Sequence, residues 1–437
     1  MSQNADIFTD LPTDIPTDIP PDIAATLTNP SAYADHRLHD AYTWLRANNP
    51  LGIARVEGYD PFWVVTKHAD IQSVSRQNAL FRNAERSTTL NTKAMVARAE
   101  AITGTPNMVR SLVQMDAPDH PKYRALTQGW FMPASIAKYE PRIRAIARSA
   151  VDRMAARNGR CDFVADIALG YPLHVIMEIL GVPEQDEARM LKLTQELFGP
   201  SDPDTARLKE KLTTEQFSAM LQSIIADFGN YFGKITEDRR ANPREDLASA
   251  IANGKVNGEY LPPHDITSYY MIVATAGHDT TSSSTAGAIW ALAKDPEEFA
   301  RVKANPALIP GLVDEAVRWM TPVKNFMRSA TEDTELGGRK IAKGDWLMLC
   351  YASGNRDEAV FDDPFTFRSD RKPNRHVSFG YGAHLCLGQY LAKMEMRILF
   401  EELLPRLKSI SLDGEVQMTQ ATFVNGPKKL PIRFEME

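Results

Sequence analysis

One short segment near the C-terminus constrains this chain more than any other part of its sequence. Residues 379–388 read FGYGAHLCLG, so two glycines precede Cys386 and Gly388 follows it. Glycines before a cysteine permit a tight turn with positive φ, and a helical pattern resumes directly after the cysteine. We therefore expect Cys386 where backbone N–H groups and the positive end of a helix converge, an environment that lowers a thiol pKa and stabilises a thiolate.

Three interpretations of Cys386 are open from these residues. The first is a buried cysteine in front of a helix, the usual role of a cysteine in such a place. The second is a nucleophile with His384 or His376 as its base, although His384 lies two residues away on a tight loop and no oxyanion-hole segment is evident. The third is an axial thiolate ligand to haem iron, with backbone N–H groups hydrogen-bonded to the sulfur.

Composition argues against several other classes of protein. The 437 residues suffice for a large core, and 43% hydrophobic and 24% charged residues are near globular averages. A net charge of −6 shows no basic bias toward nucleic acid. The sequence has no signal-peptide pattern and no apolar run of about 18 residues, and three cysteines cannot form a disulfide framework. We expect no membrane or nucleic-acid partner and a reducing, cytoplasmic location.

The first thirty residues differ from the rest of the chain. Residues 8–22 read FTDLPTDIPTDIPPD, and residues 1–30 contain five aspartates but neither lysine nor arginine. Proline at this density disfavours a helix and favours an extended arm. We expect residues 1–30 to be an acidic, proline-rich leader, either mobile or lying as a strap on the surface, and residues 31–437 to form a single domain.

The hydrophobic pattern is mostly helical, with a few short strands. Helical periodicity dominates residues 123–304, and within it residues 266–293 form one long apolar stretch whose centre, from Gly277 onward, has low helix propensity. Residues 82–114 and 361–384 show no clear periodicity and predict irregular structure. The other predictions are a helix over 33–49, a hairpin of 51–56 and 62–66, strands at 325–330 and 345–351 that bracket a Gly337–Gly338 turn, a helix over 387–404 and a final strand at 429–434.

The segment around Cys386 resembles the haem-ligand signature of the cytochrome P-450 superfamily. It matches that pattern at each key position, namely Phe379, Gly380, Gly382, His384, Cys386 and Gly388. The resemblance covers nearly all of residues 31–437 and is closest to the bacterial terpineol-hydroxylating subgroup. It implies a mainly α fold with small β-sheets, in which haem b (iron protoporphyrin IX) lies between a long distal helix and the helix after the cysteine loop. Residues 31–437 would then be one haem-thiolate catalytic domain, with Cys386 as the iron ligand.

A second motif, Glu315-Ala-Val-Arg318, places a carboxylate and a guanidinium three residues apart on one helix face. Such a pair is usually exposed and contributes little to stability. The resemblance implies instead that the pair joins Arg371 in a buried cluster, which locks the loop that carries the iron ligand.

A third motif, AGHDTT at residues 276–281, lies at the weak centre of the long apolar stretch. The resemblance implies that this helix crosses the distal face of the haem at Ala276, that Gly277 leaves room for dioxygen, and that Asp279 and Thr280 are catalytic. Thr280 would hydrogen-bond the oxygen and Asp279 would feed protons from outside, because cleavage of the O–O bond consumes two protons. An isolated threonine would more often bond the carbonyl four residues earlier. We assign no role to His278.

Four basic residues are candidates for binding the haem propionates. His120 and Arg124 are four residues apart and share a helix face, so both can reach one anion. The resemblance implies that they bind the propionates together with Arg328 and His384, and arginine suits a carboxylate bidentately. We interpret His376 as a residue that braces the loop.

The segments that contact substrate in similar proteins are mainly apolar here. They contribute Ile272, Val323, Phe326, Phe423 and Val424. These residues predict a compact apolar substrate such as a monoterpene or a small aromatic hydrocarbon. Lys324 interrupts the set, and we expect its side chain to point away from the pocket.

The electron source is expected to be a separate protein. The resemblance implies a small ferredoxin and its NAD(P)H-dependent reductase. Between Phe365 and Lys408 eight basic and four acidic residues give a local charge of +4. This excess predicts a basic face near the cysteine that attracts an acidic partner.

The leading hypothesis is a haem-thiolate monooxygenase that inserts one atom of O2 into a C–H bond of its substrate. The alternative is a haem-thiolate sensor or binding protein without turnover. The Asp279–Thr280 pair argues against that alternative, because a sensor needs no proton relay. A hydrolase with a cysteine nucleophile is the third hypothesis, and it would need no haem.

Overall fold

The computed structural model describes residues 15–200, 202–208 and 212–437. They form a mainly helical protein with small sheets, as predicted. The helices are α1 Pro21–Thr28, α2 Arg37–Asn48, α3 His68–Arg76, α4 Lys93–Thr103, α5 Asp119–Gln128, α6 Pro133–Ile136, α7 Glu140–Ala155, α8 Gly170–Leu180, α9 Glu187–Phe198, α10 Thr214–Ala241, α11 Leu247–Ala252, α12 Pro263–Ala276, α13 Asp279–Lys294, α14 Pro296–Ala304, α15 Ile309–Met320, α16 Tyr351–Gly354 and α17 Gln389–Leu403. The strands are β1 Leu51–Ala54, β2 Phe62–Val65, β3 Phe81–Arg82, β4 Arg160–Asp162, β5 Lys255–Val256, β6 Glu259–Tyr260, β7 Asn325–Ala330, β8 Thr334–Leu336, β9 Arg339–Ile341, β10 Trp346–Cys350, β11 Leu407–Leu412, β12 Gln417–Met418, β13 Pro427–Lys429 and β14 Pro431–Met436.

The largest sheet has five strands in the order β1-β2-β10-β7-β3. β1 and β2 form the predicted antiparallel hairpin, with Leu51 opposite Val65, and β10 runs parallel to β2 and antiparallel to β7. Alternate residues of β2 enter two separate apolar clusters, Phe62 and Val64 on one face and Trp63 and Val65 on the other. Because both faces of the sheet are covered by apolar side chains, the sequences of these strands are continuously hydrophobic.

The other sheets have two or three strands each. β11, β14 and β4 form a three-stranded sheet, and β5–β6, β8–β9 and β12–β13 are two-stranded. The Gly337–Gly338 turn belongs to the β8–β9 hairpin, while the strands that bracket it, β7 and β10, pair directly with each other.

The main hydrophobic core lies among the helices, chiefly α7, α8, α10, α12, α13, α15 and α17. In α15 the buried residues Leu312, Val313, Ala316, Val317 and Met320 follow the three-to-four-residue spacing of one helix face. Among the described residues, no helix combines the length and apolarity that crossing a bilayer requires.

The prediction of irregular structure over residues 82–114 is wrong for its middle part, where α4 lies. Thr92 caps this helix by accepting a hydrogen bond from the backbone N–H of Met95, and Gly104 ends it in the left-handed conformation. The segment is rich in alanine, a strong helix former, but α4 buries only Ala99, and its hydrophobic pattern is correspondingly weak.

Residues 15–30, the described part of the predicted leader, lie along β1 and α2. Ile19 N donates to Ile53 O, so the chain is extended beside β1 before α1 begins. In α1, Leu27 is fully buried. Residues 1–14 of the leader lie outside the described residues.

Candidate active site

A cavity of about 1120 Å³ lies between the α12–α13 segment and the loop that leads into α17. It exceeds the roughly 300–1,000 Å³ of ordinary ligand pockets, so its size suits a large planar cofactor together with a small substrate. Almost every predicted site residue lines it. These are His120, Arg124, Ile272, Ala276, Thr280, Val323, Phe326, Arg328, His384, Cys386, Phe423 and Val424. Asp279, the remaining predicted residue, adjoins Thr280 behind the lining.

The loop before α17 has the turn geometry that its glycines predict. Gly380 and Gly382 have φ angles of 71° and 70°, in the left-handed region that glycine adopts without strain. Gly382 also packs against α3, where a Cβ would lie 2.3 Å from the carbonyl oxygen of Ser75. The backbone N–H of Cys386 donates to Phe379 O at 2.8 Å, which closes the loop around the cysteine.

The thiol of Cys386 lies at the floor of the cavity, in front of α17. Burial raises the pKa of this thiol. The backbone N–H groups of Gly388 and Gln389 and the charge of Arg124 act in the opposite direction, but they do not cancel the effect of burial. The expectation of a depressed pKa is therefore wrong for the free thiol, because desolvation outweighs the helix end. Coordination to a metal deprotonates a thiol outright, and the same N–H groups would then stabilise the thiolate.

Four basic side chains converge at one side of the cavity. The rings of His120 and His384 have centroids 4.3 Å apart, and Arg124 Nη2 donates to Leu385 O at 2.9 Å. Burial lowers the pKa of His384 to about 2, and the charges of Arg328, His120 and Arg124 act in the same direction. Each of these groups therefore disfavours a further positive charge and favours a negative one.

This basic cluster has the chemistry of an anion site. Within the described part of the chain, no carboxylate oxygen lies within 4.0 Å of any of its four side chains. His120 Nε2 is buried without a hydrogen-bond partner. The carboxylates of a haem would supply the missing negative charge, and Cys386 would supply the iron ligand. The donor set and the cavity thus fit a haem.

The wall opposite the cysteine is a helix interrupted at its centre. α12 ends at Ala276 and α13 begins at Asp279, so the prediction of one continuous helix is wrong at Gly277 and His278. A Cβ on Gly277 would lie 2.5 Å from Ile176 Cγ1 in α8. Helix α8 therefore packs closely against the break. Gly277 also lines the cavity, and its role in leaving room for dioxygen there stays a prediction.

Thr280 faces the cavity from the first turn of α13, two residues after His278. Its Oγ1 donates to Ala276 O at 3.1 Å, the bond that an isolated threonine in a helix would make. Because the hydroxyl proton is engaged by a carbonyl, the hydroxyl offers its lone pairs to the cavity and can accept a hydrogen bond there.

Asp279 is the first residue of α13 and lies next to Thr280, outside the cavity lining. Its side chain is 13% exposed, and its Oδ1 lies 3.1 Å from His278 Nε2. Its Oδ2 is buried and has no hydrogen-bond partner among the described residues. The carboxyl group is thus held at one oxygen and open at the other.

Glu315, Arg318 and Arg371 form the buried cluster that the resemblance implies. Arg318 Nη2 lies 2.7 Å from Glu315 Oε1, both side chains being fully buried, and Arg371 Nε lies 3.1 Å from the same oxygen. The two guanidinium groups also donate to carbonyl oxygens at Asn355 and within residues 362–366. The cluster therefore fastens the irregular segment that precedes the cysteine loop.

The apolar residues form the other end of the cavity. Phe326 and Phe423 contact edge to face with centroids 5.0 Å apart, and Val323 and Val424 pair in a β-bridge. Phe198, at the end of α9, adds a third ring 6.3 Å from Phe423. Sequence reasoning did not single out Phe198.

Lys324 and His376 both lie outside the cavity lining. Lys324 turns away, as expected, and its Nζ donates to Met320 O at 2.5 Å. Burial lowers the pKa of Lys324 to about 7. His376 lies 3.9 Å from Asp314 and packs on Phe379, the contacts of a residue that braces the loop.

Sequence reasoning missed Glu395, which lies on α17 in the wall of the cavity. It is 1% exposed, its Oε2 has no partner among the described residues, and burial raises its pKa well above the ordinary value. Its local sequence, KMEMR, is typical of a solvent-exposed helix turn, so only the tertiary structure shows that this carboxyl group is buried and that its pKa is raised.

The predicted basic face is largely neutralised. Six of its eight basic residues have a carboxylate oxygen within 4.0 Å: Arg368, Arg371, Lys393, Arg397, Arg406 and Lys408. Lys372 and Arg375 are exposed, as is Arg76, whose Nη2 donates to Tyr381 Oη in the cysteine loop. The count of +4 therefore overstates the local charge.

Comparison with known proteins bears on this site as a whole. The cytochrome P450 family model matches residues 80–305 and 306–434. Cytochrome P450-terp of a Pseudomonas species is 50% identical over 414 residues, 94% of this chain and 97% of that protein. Linalool 8-monooxygenase of Pseudomonas putida is 32% identical over 411 residues, 93% of this chain and 98% of that protein. A crystal structure of CYP108D1 from Novosphingobium aromaticivorans superposes with a TM-score of 0.88 at 45% identity, covering 97% of this chain and 100% of that chain.

Proposed function

The chain belongs to the cytochrome P450 family of haem monooxygenases, and from that premise we propose that it hydroxylates a compact apolar substrate of monoterpene size. The observation that carries the proposal is the convergence, in one cavity, of Cys386, an unpaired basic cluster and an apolar end lined by Phe326 and Phe423. Two relatives bear names that point to terpenoids, P450-terp and linalool 8-monooxygenase. We therefore favour a monoterpene over a small aromatic hydrocarbon.

The proposed cofactor is haem b, which supplies the chemistry of oxygen activation when it is bound. Cys386 holds the iron, and the N–H groups of Gly388 and Gln389 stabilise the sulfur. His120, Arg124, Arg328 and His384 bind the two propionates. Ala276, with its small side chain, leaves space on the distal side next to Thr280.

Asp279 and Thr280 are the proposed proton-handling residues. Asp279 is close enough to the surface to exchange protons with solvent, since its side chain is 13% exposed. Thr280 presents the lone pairs of its hydroxyl to the cavity while its proton bonds Ala276 O. An alcohol beside an acid in an apolar wall admits protons without admitting bulk water.

The charge distribution of the cavity favours a neutral substrate. Among the described lining residues the basic side chains are Arg124, Arg328 and the two histidines of the basic cluster, all of which we assign to the propionates. The apolar end formed by Ile272, Val323, Phe326, Phe423 and Val424 thus lacks a partner for a carboxylate. Burying an unpaired charge there would be costly.

The proposed electron donor is a separate ferredoxin with its NAD(P)H-dependent reductase, in the cytoplasm. Exposed Arg76, Lys372 and Arg375 lie on or near the cysteine loop and would meet an acidic partner. Because most neighbouring cations are already paired with carboxylates, we expect the reduction rate to fall only modestly as salt is raised. A rate independent of salt would rule out electrostatic steering by this face.

The test of the proposed function starts with the purified holoprotein. Its reduced CO complex should show the Soret band of thiolate-ligated haem; a band without thiolate character would exclude Cys386 as ligand. A panel of terpenes, aromatic hydrocarbons and carboxylic acids is then screened by the spin-state shift. A monoterpene should bind tightest and yield a hydroxylated product with a reconstituted ferredoxin chain. A carboxylic acid as the tightest ligand would contradict the apolar pocket, and tight binding without product would favour the sensor.

Substitution of Thr280 tests its role in that reaction. Thr280→Ala should keep substrate binding and NAD(P)H consumption but divert electrons from product to hydrogen peroxide, because no hydroxyl remains to accept a hydrogen bond in the cavity. Thr280→Ser is the matched control, since it keeps the hydroxyl, and should stay coupled. Unchanged coupling in the alanine variant would contradict the assignment.

A further inference from the structure

His278 occupies the break in the distal helix and is fully buried. Its Nε2 lies 3.1 Å from Asp279 Oδ1 and 3.3 Å from Thr194 Oγ1, on α9. Its Nδ1 lies 3.3 Å from Ala274 O. The two ring nitrogens thus face three oxygen atoms in a region closed to solvent.

The hydrogen positions around this ring follow from what each oxygen can do. Ala274 O is a carbonyl and only accepts, so Nδ1 must carry a proton to bond it. Thr194 Oγ1 donates its proton to Leu191 O at 2.9 Å, and it therefore presents a lone pair to Nε2. Asp279 Oδ1, if ionised, also presents only lone pairs.

A neutral imidazole protonated at Nδ1 beside an ionised Asp279 would leave acceptors facing each other at 3.1 Å. Such an arrangement leaves buried groups unpaired, which is unfavourable. A neutral imidazole protonated at Nε2 would instead bond Asp279 Oδ1 but leave Nδ1 facing Ala274 O, a second acceptor, at 3.3 Å. One additional proton, whether it resides on His278 Nε2 or on Asp279 Oδ1, satisfies both contacts. The packing thus favours a pair that holds one proton more than a neutral histidine and a carboxylate would hold.

We infer that His278 is a positioning residue that holds a proton in common with Asp279 and fixes Oδ1 of that carboxyl group, leaving Oδ2 as its open hydrogen-bonding atom. This inference rests on the proposed role of Asp279 in proton delivery. When the pair gives up its proton, it becomes a neutral imidazole and a carboxylate. One proton from solvent, through the partly exposed Asp279, restores it.

Two substitutions separate the contacts of the two ring nitrogens. In His278→Asn, the amide nitrogen replaces Nδ1 and keeps the bond to Ala274 O, while the contact with Asp279 is lost. In His278→Gln, the amide nitrogen reaches the position of Nε2 and holds Asp279, but it carries no transferable proton. Thr194→Val is the control, because it removes the hydroxyl next to the ring and leaves the His278–Asp279 contact in place.

The first measurement uses the holoenzyme with its electron-transfer chain and the best ligand of the substrate panel. We expect His278→Asn to lower the rate of product formation by about tenfold, less than the roughly 10²–10⁴-fold of a lost general acid or base because His278 acts through Asp279, with peroxide released and the substrate Kd unchanged. His278→Gln should recover coupling in part and show a larger solvent isotope effect than the wild type. Thr194→Val should resemble the wild type. Wild-type coupling and isotope effect in His278→Asn would overturn the inference, as would equal loss of substrate binding in both His278 variants.

A second measurement does not depend on turnover. The protein labelled with ¹⁵N-histidine has nine histidines, and the signals absent from His278→Asn in the diamagnetic ferrous–CO form belong to His278. We expect a protonated Nδ1 and an Nε2 that is either protonated or accepts a strong hydrogen bond. A free, unbonded Nε2 would overturn the inference even in an active enzyme. A wild-type protein whose His278 nitrogens show the expected protonation and hydrogen bonding, but which has no turnover, would instead refute the proposed function. The inference about the His278–Asp279 pair would then still stand.

Discussion

Substitution of Glu315 by glutamine tests whether the buried cluster secures the cysteine loop. Glutamine has nearly the same volume, so the change removes the charge and not the packing. In the native protein the carboxylate accepts hydrogen bonds from Arg318 Nε and Nη2 at 2.8 and 2.7 Å and from Arg371 Nε at 3.1 Å. The backbone N–H of Arg368 and the side chain of Asn374 donate to it as well, at 3.0 and 3.1 Å.

The expected magnitude follows from burial. Glu315 and Arg318 are 0% exposed and Arg371 is 5% exposed, so Glu315→Gln leaves two guanidinium charges in the interior without a counter-charge. Removal of one partner of a buried pair typically costs about 3–5 kcal/mol. A folded domain has roughly 5–15 kcal/mol of stability in total. We therefore expect a large loss of stability, felt first in the segment that the two arginines hold.

The assay combines urea unfolding, followed by circular dichroism, with the fraction of haem that shows the thiolate band in the CO complex. Glu315→Gln should unfold at clearly lower urea and lose part of the thiolate band. Glu85→Gln is the matched control, because Arg82 and Glu85 form an exposed pair with the same three-residue spacing, 3.2 Å apart. An exposed pair contributes about 0–1 kcal/mol. If the two variants lost similar stability, the reasoning from burial would be refuted.

Two further substitutions test the cavity wall. Gly277→Ala should lower the free energy of unfolding by about 1–3 kcal/mol, because the added Cβ would lie 2.5 Å from Ile176 Cγ1. It is checked by urea unfolding, and the same substitution should cost less in an Ile176→Ala background, which lacks the γ carbon. Glu395→Gln tests the buried acid: the folded-state pKa is raised above the ordinary 4.5, so above that pH the folded protein binds a proton that the unfolded chain has released. The contribution of Glu395 to stability should therefore fall by about 1.4 kcal/mol for each pH unit between 4.5 and the raised pKa, and unfolding curves at several pH values should show this slope in the wild type relative to the glutamine variant. Parallel pH profiles would mean that Glu395 is ionised in the folded protein.

The features that could be predicted are those decided by neighbours in sequence. The glycines around Cys386 specify positive φ angles, and both Gly380 and Gly382 have them. The β1–β2 hairpin and β7 and β10 also form where short apolar runs and turns predict them. The membership of Arg371 in the Glu315 cluster came from the family resemblance, since the two residues lie 56 positions apart.

The features that escaped prediction depend on distant partners. The motif at residues 276–281 predicts no role for His278, but in the folded protein this residue contacts Thr194, 84 residues away. Arg406 counts as a free charge in the sequence and is paired with Asp152, 254 residues away. The close approach of Ile176, on another helix, to Gly277 also depends on a residue about one hundred positions away.

The amino-acid sequence by itself determined the helical class of the fold, the turn that presents Cys386 and the apolar character of the substrate end, because backbone conformation and hydrophobic periodicity are properties of adjacent residues. Only the tertiary structure decided the state of the charged groups. The raised pKa values of the Cys386 thiol and of Glu395, the pairing of the basic face and the contact of His278 with Thr194 all depend on which atoms from remote segments exclude water or accept a hydrogen bond. Desolvation and pairing act through space, and their balance is set where the helices pack.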